Sequence, residues 1–417
     1  MTGKAEIVII GGGVVGASVA YHLTERGARD VLILERGPRQ GLGSTGAATG
    51  GVRAQFETDI NIKMSLYSIG FFREWEFDTE YEPAGYLFFA TTNAQFDYLK
   101  RNVERQRELG VQDVETVDAK AVKEIVPILN CDDVLGGSFG RHDGFINPLA
   151  VMHGFTEGAL RNGARIEFDT EVWRILAEGG RVSAVETNKG TVECANAVLS
   201  TGAWARELAA TVGVDLPVEP QRRQIVWARS VVPLPEGLPM VIDIGTGFHF
   251  RPARDFTVSG SSGRGSTPRQ EKNACRPSLD KEGSLKGAPV HEVLFAYPDR
   301  DQCSPDNTSF EDVFIEKVYE LARHRSPFLF ECGVVRGKCR AGLYENSPDH
   351  HAILGRCGVQ GLFLANGFSG HGVMHSPATG RALAEIILDG EASFLDVSCL
   401  RLDRFVRGEL LHETAFI

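Results

Sequence analysis

Ile7-Val8-Ile9-Ile10 is the first unbroken apolar, β-branched run of the chain, and it gives way to glycines and then to apolar residues at helical spacing. A short run without polar alternation predicts a strand covered on both faces, as in a parallel sheet. The helical pattern passes through Ala17, Val19, Ala20 and Leu23 and stops at Gly27. A second apolar run, Val31-Leu32-Ile33-Leu34, then ends in Glu35. Together these segments predict a β-α-β unit of about thirty residues.

Further along, Ile62, Leu66, Ile69 and Phe72 predict a helix within 56–82, followed by a strand at 86–90 and a charged amphipathic helix over 93–109. Pro148 opens another helical stretch to Leu160, in the first-turn position that proline tolerates. Strands are predicted at 165–168, 172–175 and 181–186, and a buried one at 197–199 that enters a glycine turn. From Pro217 the pattern changes to short β runs, at 224–228, 240–244, 248–251 and 293–297, which predict a large antiparallel sheet. A helix over 311–324 is expected to cover it. Residues 254–291 carry few large apolar side chains and many Gly, Ser, Pro, Lys and Arg. Such a stretch buries too little to order itself, so a mobile surface insertion is expected there.

Composition narrows the function. The chain has 417 residues with a net charge of -11, which argues against a nucleic-acid-binding body because no basic excess is available for a phosphate-facing surface. No apolar run approaches the roughly 18 residues of a membrane span. The eight cysteines are scattered, and Cys332 and Cys339 lack zinc-ligand spacing, so neither a disulfide framework nor a metal site is expected. The chain enters its first strand after a few polar residues, with no signal or transit pattern. A cytoplasmic location is the default expectation, with peripheral attachment to the inner membrane left open.

The chemistry opens the chain. Gly11, Gly13 and Gly16 have the spacing G-x-G-x-x-G directly after the first strand. Gly11 permits the tight turn, Gly13 lets backbone approach a pyrophosphate, and Gly16 lets the helix pack close to the sheet. The helix N-terminus offers N–H groups and partial positive charge to phosphate. Glu35 ends the second strand, where a carboxylate accepts from ribose hydroxyls and disfavours a phosphorylated ribose. Strand, helix, second strand and acid agree on a dinucleotide site. Arg36 follows, and then a run of small residues from Gly41 through Ser44, Thr45 and Gly51 to Arg53, suited to covering a flat cofactor closely.

Four motifs carry a resemblance: GGGVVGASVAYHLTERG at 11–27, GSTGAATGGVR at 43–53, AGLYENSPDHHAILG at 341–355 and NGFSGHGVMHSPATGRALAEIILDG at 366–390. The chain resembles the D-amino-acid oxidase superfamily of FAD enzymes, in its sarcosine oxidase β-subunit and glycine oxidase branch. The resemblance implies an α/β fold: a Rossmann-like, glutathione-reductase-like FAD-binding domain with an interleaved antiparallel-sheet substrate domain. It divides the chain into a discontinuous FAD-binding domain, 1–85, 144–216 and 332–417, and a substrate domain, 86–143 and 217–331.

The implied reaction is oxidation of the C–N bond of a small amino or imino acid, such as sarcosine, glycine or a proline-like compound. Hydride passes to flavin N5 and the imine is then hydrolysed. Arg53 falls where the family grips a substrate carboxylate, Tyr344 where it places an active-site tyrosine, and His371 in the glycine turn that closes the flavin site. The resemblance extends the FAD contacts to Val172, Thr201, Gly202, Gly342, Gly370, Gly372, Val373 and Met374. Gly342 and Ala47 occupy positions where some relatives carry flavin-linking side chains, so a non-covalent FAD is expected. Met374 stands where sarcosine oxidase-like monomers have a carboxylate-binding lysine, which leaves the substrate open. The electron acceptor is expected to be a quinone, a protein carrier or oxygen, and a second subunit or a homo-oligomer is compatible with the family. The alternative is an FAD-binding assembly protein for a respiratory complex, without amine-oxidising turnover. An NAD-dependent dehydrogenase would lack the GFSGHG motif.

Overall fold

The computed structural model describes residues 3–253, 291–298, 303–304 and 306–414. The insertion expected at 254–291 therefore lies, but for His291, outside the described residues.

Among these residues, an eight-stranded sheet runs in the order Ile353–Arg356, Leu362–Asn366, Gly190–Leu199, Gly3–Ile10, Val31–Leu34, Arg165–Glu167. Two further strands, Arg181–Thr187 and Val172–Glu178, extend antiparallel from Gly190–Leu199. The central pairings are parallel, with Ile7–Ile10 in register with Val31–Leu34 on one side and Asn196–Leu199 on the other. Apolar alternation is missing from the first strand because both faces are covered: Ile7 and Ile9 enter one core, and Val8 and Ile10 the opposite one. On the first face lie the helices Val14–Glu25, Asp59–Glu74, Pro148–Arg161 and Gly372–Leu388.

A second sheet has nine described strands, in the order Gly333–Val334, Glu219–Arg229, Glu292–Ala296, His249–Pro252, Met240–Asp243, Tyr86–Ala90, Gly136–Gly140, Val114–Asp118, with Arg340–Asn346 pairing the first half of Glu219–Arg229. The expected large antiparallel sheet is present, with one parallel seam. Met240–Asp243 runs parallel to Tyr86–Ala90, where two separate stretches of chain meet. The helix Asp312–Arg325 covers one face through Phe314, Val318 and Ala322.

Local differences have physical reasons. The helix expected within 56–82 occupies only Asp59–Glu74. It ends where Trp75 turns extended, and Glu80 takes a left-handed φ of 53°. The glycine-rich stretch after residue 135 contains a strand, Gly136–Gly140, so close to its neighbour that a Cβ on Gly137 would lie 2.4 Å from the Phe88 carbonyl oxygen. The helix Ala119–Ile125 is too short to show a clear period; its start is marked by Asp118, whose carboxylate accepts from the Ala121 N–H.

Candidate active site

A cavity of about 910 Å³ opens between the two sheets, at the upper end of the range for bound small molecules. Of the site residues expected from sequence, all but Gly16 line it. Gly16 sits behind the wall: a Cβ there would lie 2.0 Å from the Gly11 carbonyl oxygen, so the helix can approach the strand only as glycine. Gly11 itself has φ +101° and packs on the Ser200 carbonyl. Gly13 differs. A Cβ there would meet no protein atom closer than Thr45 Oγ1 at 3.5 Å, so the space it leaves is cavity.

Glu35 holds the nucleotide-facing turn together. One carboxylate oxygen accepts from the Gly12 N–H at 2.9 Å and the other from the Gly37 N–H at 2.8 Å. The Arg36 guanidinium stacks 3.7 Å from the centre of the Trp204 ring, and both line the cavity with Val172. The hydroxyls of the small-residue loop also bind protein: Thr45 Oγ1 accepts from the Val14 N–H at 3.2 Å, and Ser44 donates to the Leu343 carbonyl at 2.7 Å. Thr45 thereby caps the first helix, whose own N-cap residue is Gly13.

Several features fit a dinucleotide. The Gly13 hollow is one. Two orphaned polar atoms are another: Thr201 Oγ1 and Glu345 Oε2 are buried with no hydrogen-bond partner, and both residues belong to the cavity wall. Burial pushes the Glu345 carboxyl up to about 8, against the backbone N–H groups of Gly367 and Phe368. A ligand with hydroxyls or phosphate oxygens would satisfy such atoms. Gly342 and Ala47 face each other, and a Cβ on Gly342 would come within 2.6 Å of the Ala47 Cβ.

Arg53 is the cation of the other wall. It is buried, with its guanidinium 4.0 Å over the Phe56 ring and 5.2 Å from the Phe88 ring. It donates to the Gln55 carbonyl at 2.5 Å. Burial lowers its pKa, and the negative charges of Glu413 and then Asp143 oppose this. Tyr344 lies across the turn at Gly370, which has a φ of +95° and where an added Cβ would lie 2.4 Å from the Tyr344 ring, so a side chain is excluded there. The Arg223 guanidinium stands 5.1 Å from the same tyrosine ring. His371 is buried edge-on to Phe56 at 5.0 Å. Burial, with Arg53 beside it, drives its pKa well below the usual histidine value, so the ring is neutral. His375, one turn on, is pushed down to about 3 by the same causes, and its Nε2 lies 2.9 Å from Ser65 Oγ.

From sequence, Arg141, His142 and Asp143 stand out as a charged cluster without an assigned role, and Tyr86, Arg223 and His249 carry no signal. Asp143 is buried; it accepts from the Ala54 N–H at 2.7 Å and from Gln55 Nε2 at 2.8 Å, clamping the segment that carries Arg53. Its neighbour His142 is exposed and lies 3.0 Å from Asp113. Tyr86, whose hydroxyl would lie 1.9 Å from a Cβ on Gly51, also lines the cavity, as do Arg223 and His249. The one available signal, at Asp143, was charge within a glycine-rich run. Asp349 and His351 are structural: Asp349 pairs with buried Arg404 at 2.8 Å.

The family model for FAD-dependent oxidoreductases (DAO) matches residues 6–386, and the chain belongs to this FAD-dependent family. FAD-dependent oxidoreductase domain-containing protein 1 of Xenopus laevis is 32% identical, over 98% of this chain and 84% of that protein. Mitochondrial dimethylglycine dehydrogenase of Rattus norvegicus is 30% identical over 94% of this chain, which spans 44% of that longer protein. The crystal structure of L-proline dehydrogenase from P. horikoshii superposes with a TM-score of 0.81 at 28% identity, covering 99% of this chain and 100% of that one. Among the described residues no helix is long and apolar enough to cross a membrane.

Proposed function

We propose that the protein oxidises the C–N bond of a small amino or imino acid, with Arg53 and Tyr344 binding the substrate carboxylate. The observation that carries this reading is Arg53 itself, a buried guanidinium held at the wall of the FAD-sized cavity between aromatic rings. A guanidinium fork matches a carboxylate bidentately. Two relatives, dimethylglycine dehydrogenase and L-proline dehydrogenase, bear names that specify substrates of this class.

Bound FAD supplies the two-electron acceptor for the substrate's α-hydrogen. The chain's residues do the rest. Arg53 anchors the carboxylate and thereby orients the C–H bond of the carbon next to nitrogen. Its positive charge also disfavours an ammonium beside it, so the amine is bound neutral with a lone pair free. His371 remains neutral and adds no second charge. The His371 N–H is spent on the Phe368 carbonyl, and the N-terminus of Gly372–Leu388 offers the donors where negative charge develops on reduction.

In this reading the FAD contacts are the cavity-lining residues named above, and the cofactor is held without a covalent bond, because glycine and alanine occupy the facing positions 342 and 47 and offer no linking atom. The acceptor is a quinone, a protein carrier or oxygen. The test is an anaerobic titration of the purified holoprotein with sarcosine, dimethylglycine, glycine and proline. Bleaching of the flavin band by one of them is expected. A flavin that stays oxidised across the series contradicts the proposal.

A further inference from the structure

The carboxylate-binding wall is fastened from an unexpected place, the C-terminal tail. The helix Asp59–Glu74 begins three residues beyond Phe56, and its N-cap residue Thr58 makes no capping bond with its own side chain. Glu413, distant in sequence, fills that role. Its Oε1 accepts from the Glu57 N–H at 2.7 Å. Its Oε2 accepts from the Thr58 N–H at 3.2 Å, the Thr58 hydroxyl at 3.0 Å and Asn61 Nδ2 at 3.3 Å. A carboxylate also suits the positive end of the helix dipole.

The tail around it is tied down. The Leu411 N–H donates to Asp349, and the Thr414 N–H donates to Glu57 Oε2 at 2.9 Å. Glu413 is buried. The segment it grips runs directly into Phe56, whose ring underlies the Arg53 guanidinium at 4.0 Å and meets the His371 ring edge-on.

We infer that Glu413 is a positioning residue: the tail carboxylate locks residues 57–61 and so sets Phe56 and, on it, the Arg53 guanidinium for a substrate carboxylate. This rests on the proposed role of Arg53. The benefit is positional: the negative charge of Glu413 near Arg53 by itself opposes a second anion, whereas its hydrogen bonds hold residues 57–61 in place. Burial raises its own carboxyl pKa, opposed by the Glu57 N–H and the Arg53 charge.

The experiment uses the full-length holoprotein and two probes that cannot be oxidised, benzoate and neutral benzamide, each titrated against the flavin's visible spectrum. E413A is expected to weaken benzoate binding about fivefold to tenfold and to leave benzamide binding and FAD content unchanged. E413Q keeps the seat and some of the hydrogen bonds without the charge, and should fall between E413A and the parent. R53A is measured alongside. If R53A loses benzoate while E413A and E413Q bind it like the parent, the inference about Glu413 is wrong and the Arg53 reading stands. If R53A binds benzoate normally, both fall. Equal weakening of benzoate and benzamide by E413Q would reduce Glu413 to a merely structural part and overturn its positioning role. Should E413A fail to fold, E413Q alone decides.

Discussion

The wall of the cavity proposed to hold the nucleotide comes from one continuous stretch, Gly11 through Arg36, completed by Val172, Thr201 and Trp204. The wall around Arg53 is assembled differently: Arg53 and Phe56, Asp143 from the turn between Gly136–Gly140 and Gly144–Phe145, Tyr344, His371 and Glu413 all come from separate parts of the chain. The first wall is made mostly of backbone and absent side chains, and it fails by steric intrusion. The second consists of charges taken out of water, and it fails when a partner is lost.

The sharpest way to break the comparison is at Gly16. Gly16→Ala puts a carbon 2.0 Å from a backbone oxygen that cannot yield, so the helix must leave the sheet. Loss of bound FAD is expected, read as the ratio of flavin to protein absorbance. Gly358→Ala, with no atom within 4 Å of the added carbon, should retain the parent's ratio.

Next in size is Arg53→Ala. Removing a buried charged contact costs about 2–5 kcal/mol in binding, roughly thirtyfold to several thousandfold in kcat/KM for a carboxylate substrate. FAD content should not change, which separates this wall from the first. An unaltered kcat/KM would remove Arg53 from the site.

Asp143 gives a pH signature. Burial raises its carboxyl to about 7 from an ordinary 3.8, despite the Ala54 and Gln55 donors. Between about pH 4 and pH 7 the folded state therefore holds a proton that the unfolded chain has released. By linkage, stability falls as pH rises through that window, and the loss is complete above about 7. Asp143→Asn cannot ionise, so its thermal midpoint should decline less than the parent's between pH 5 and pH 8. A parallel decline in both proteins would refute the assignment.

The smallest effect is expected at Trp204. Trp204→Ala removes the Arg36 stacking contact, worth about 0.5–1 kcal/mol where solvent reaches it. FAD affinity should fall only a few-fold, measured by recovery of flavin fluorescence quenching in the apoprotein. A hundredfold loss would mean that the ring itself contacts the cofactor.

The same contrast explains what could be read from the sequence. Gly11, Gly13, Gly16 and Glu35 announce themselves because one β-α-β unit holds strand, turn, helix and acid at fixed spacing. Arg53, Tyr344 and His371 were reached through motifs, and the structure brings all three to one cavity. Their supports could not be assigned: Asp143 stood out as a charge, but its partners did not. Asp143 reaches across 89 positions to Ala54, and Glu413 across 356 to Glu57. No local period encodes such pairs. The parallel seam between Met240–Asp243 and Tyr86–Ala90 escaped for the same reason, since strand direction depends on how distant segments meet. Ser44 and Thr45 were recognised as hydroxyls near a cofactor, but only the fold shows that they first bind Leu343 and Val14.

In the proposed reaction Arg53 selects a carboxylate for oxidation in this cavity. The direct measurement is the anaerobic rate of flavin bleaching by the best amino-acid substrate and by its uncharged carboxamide, in the parent protein and in Arg53→Ala. The parent should strongly prefer the acid, and the variant should lose most of this preference while still binding FAD. An equal preference for the acid in both proteins would contradict this selection by Arg53.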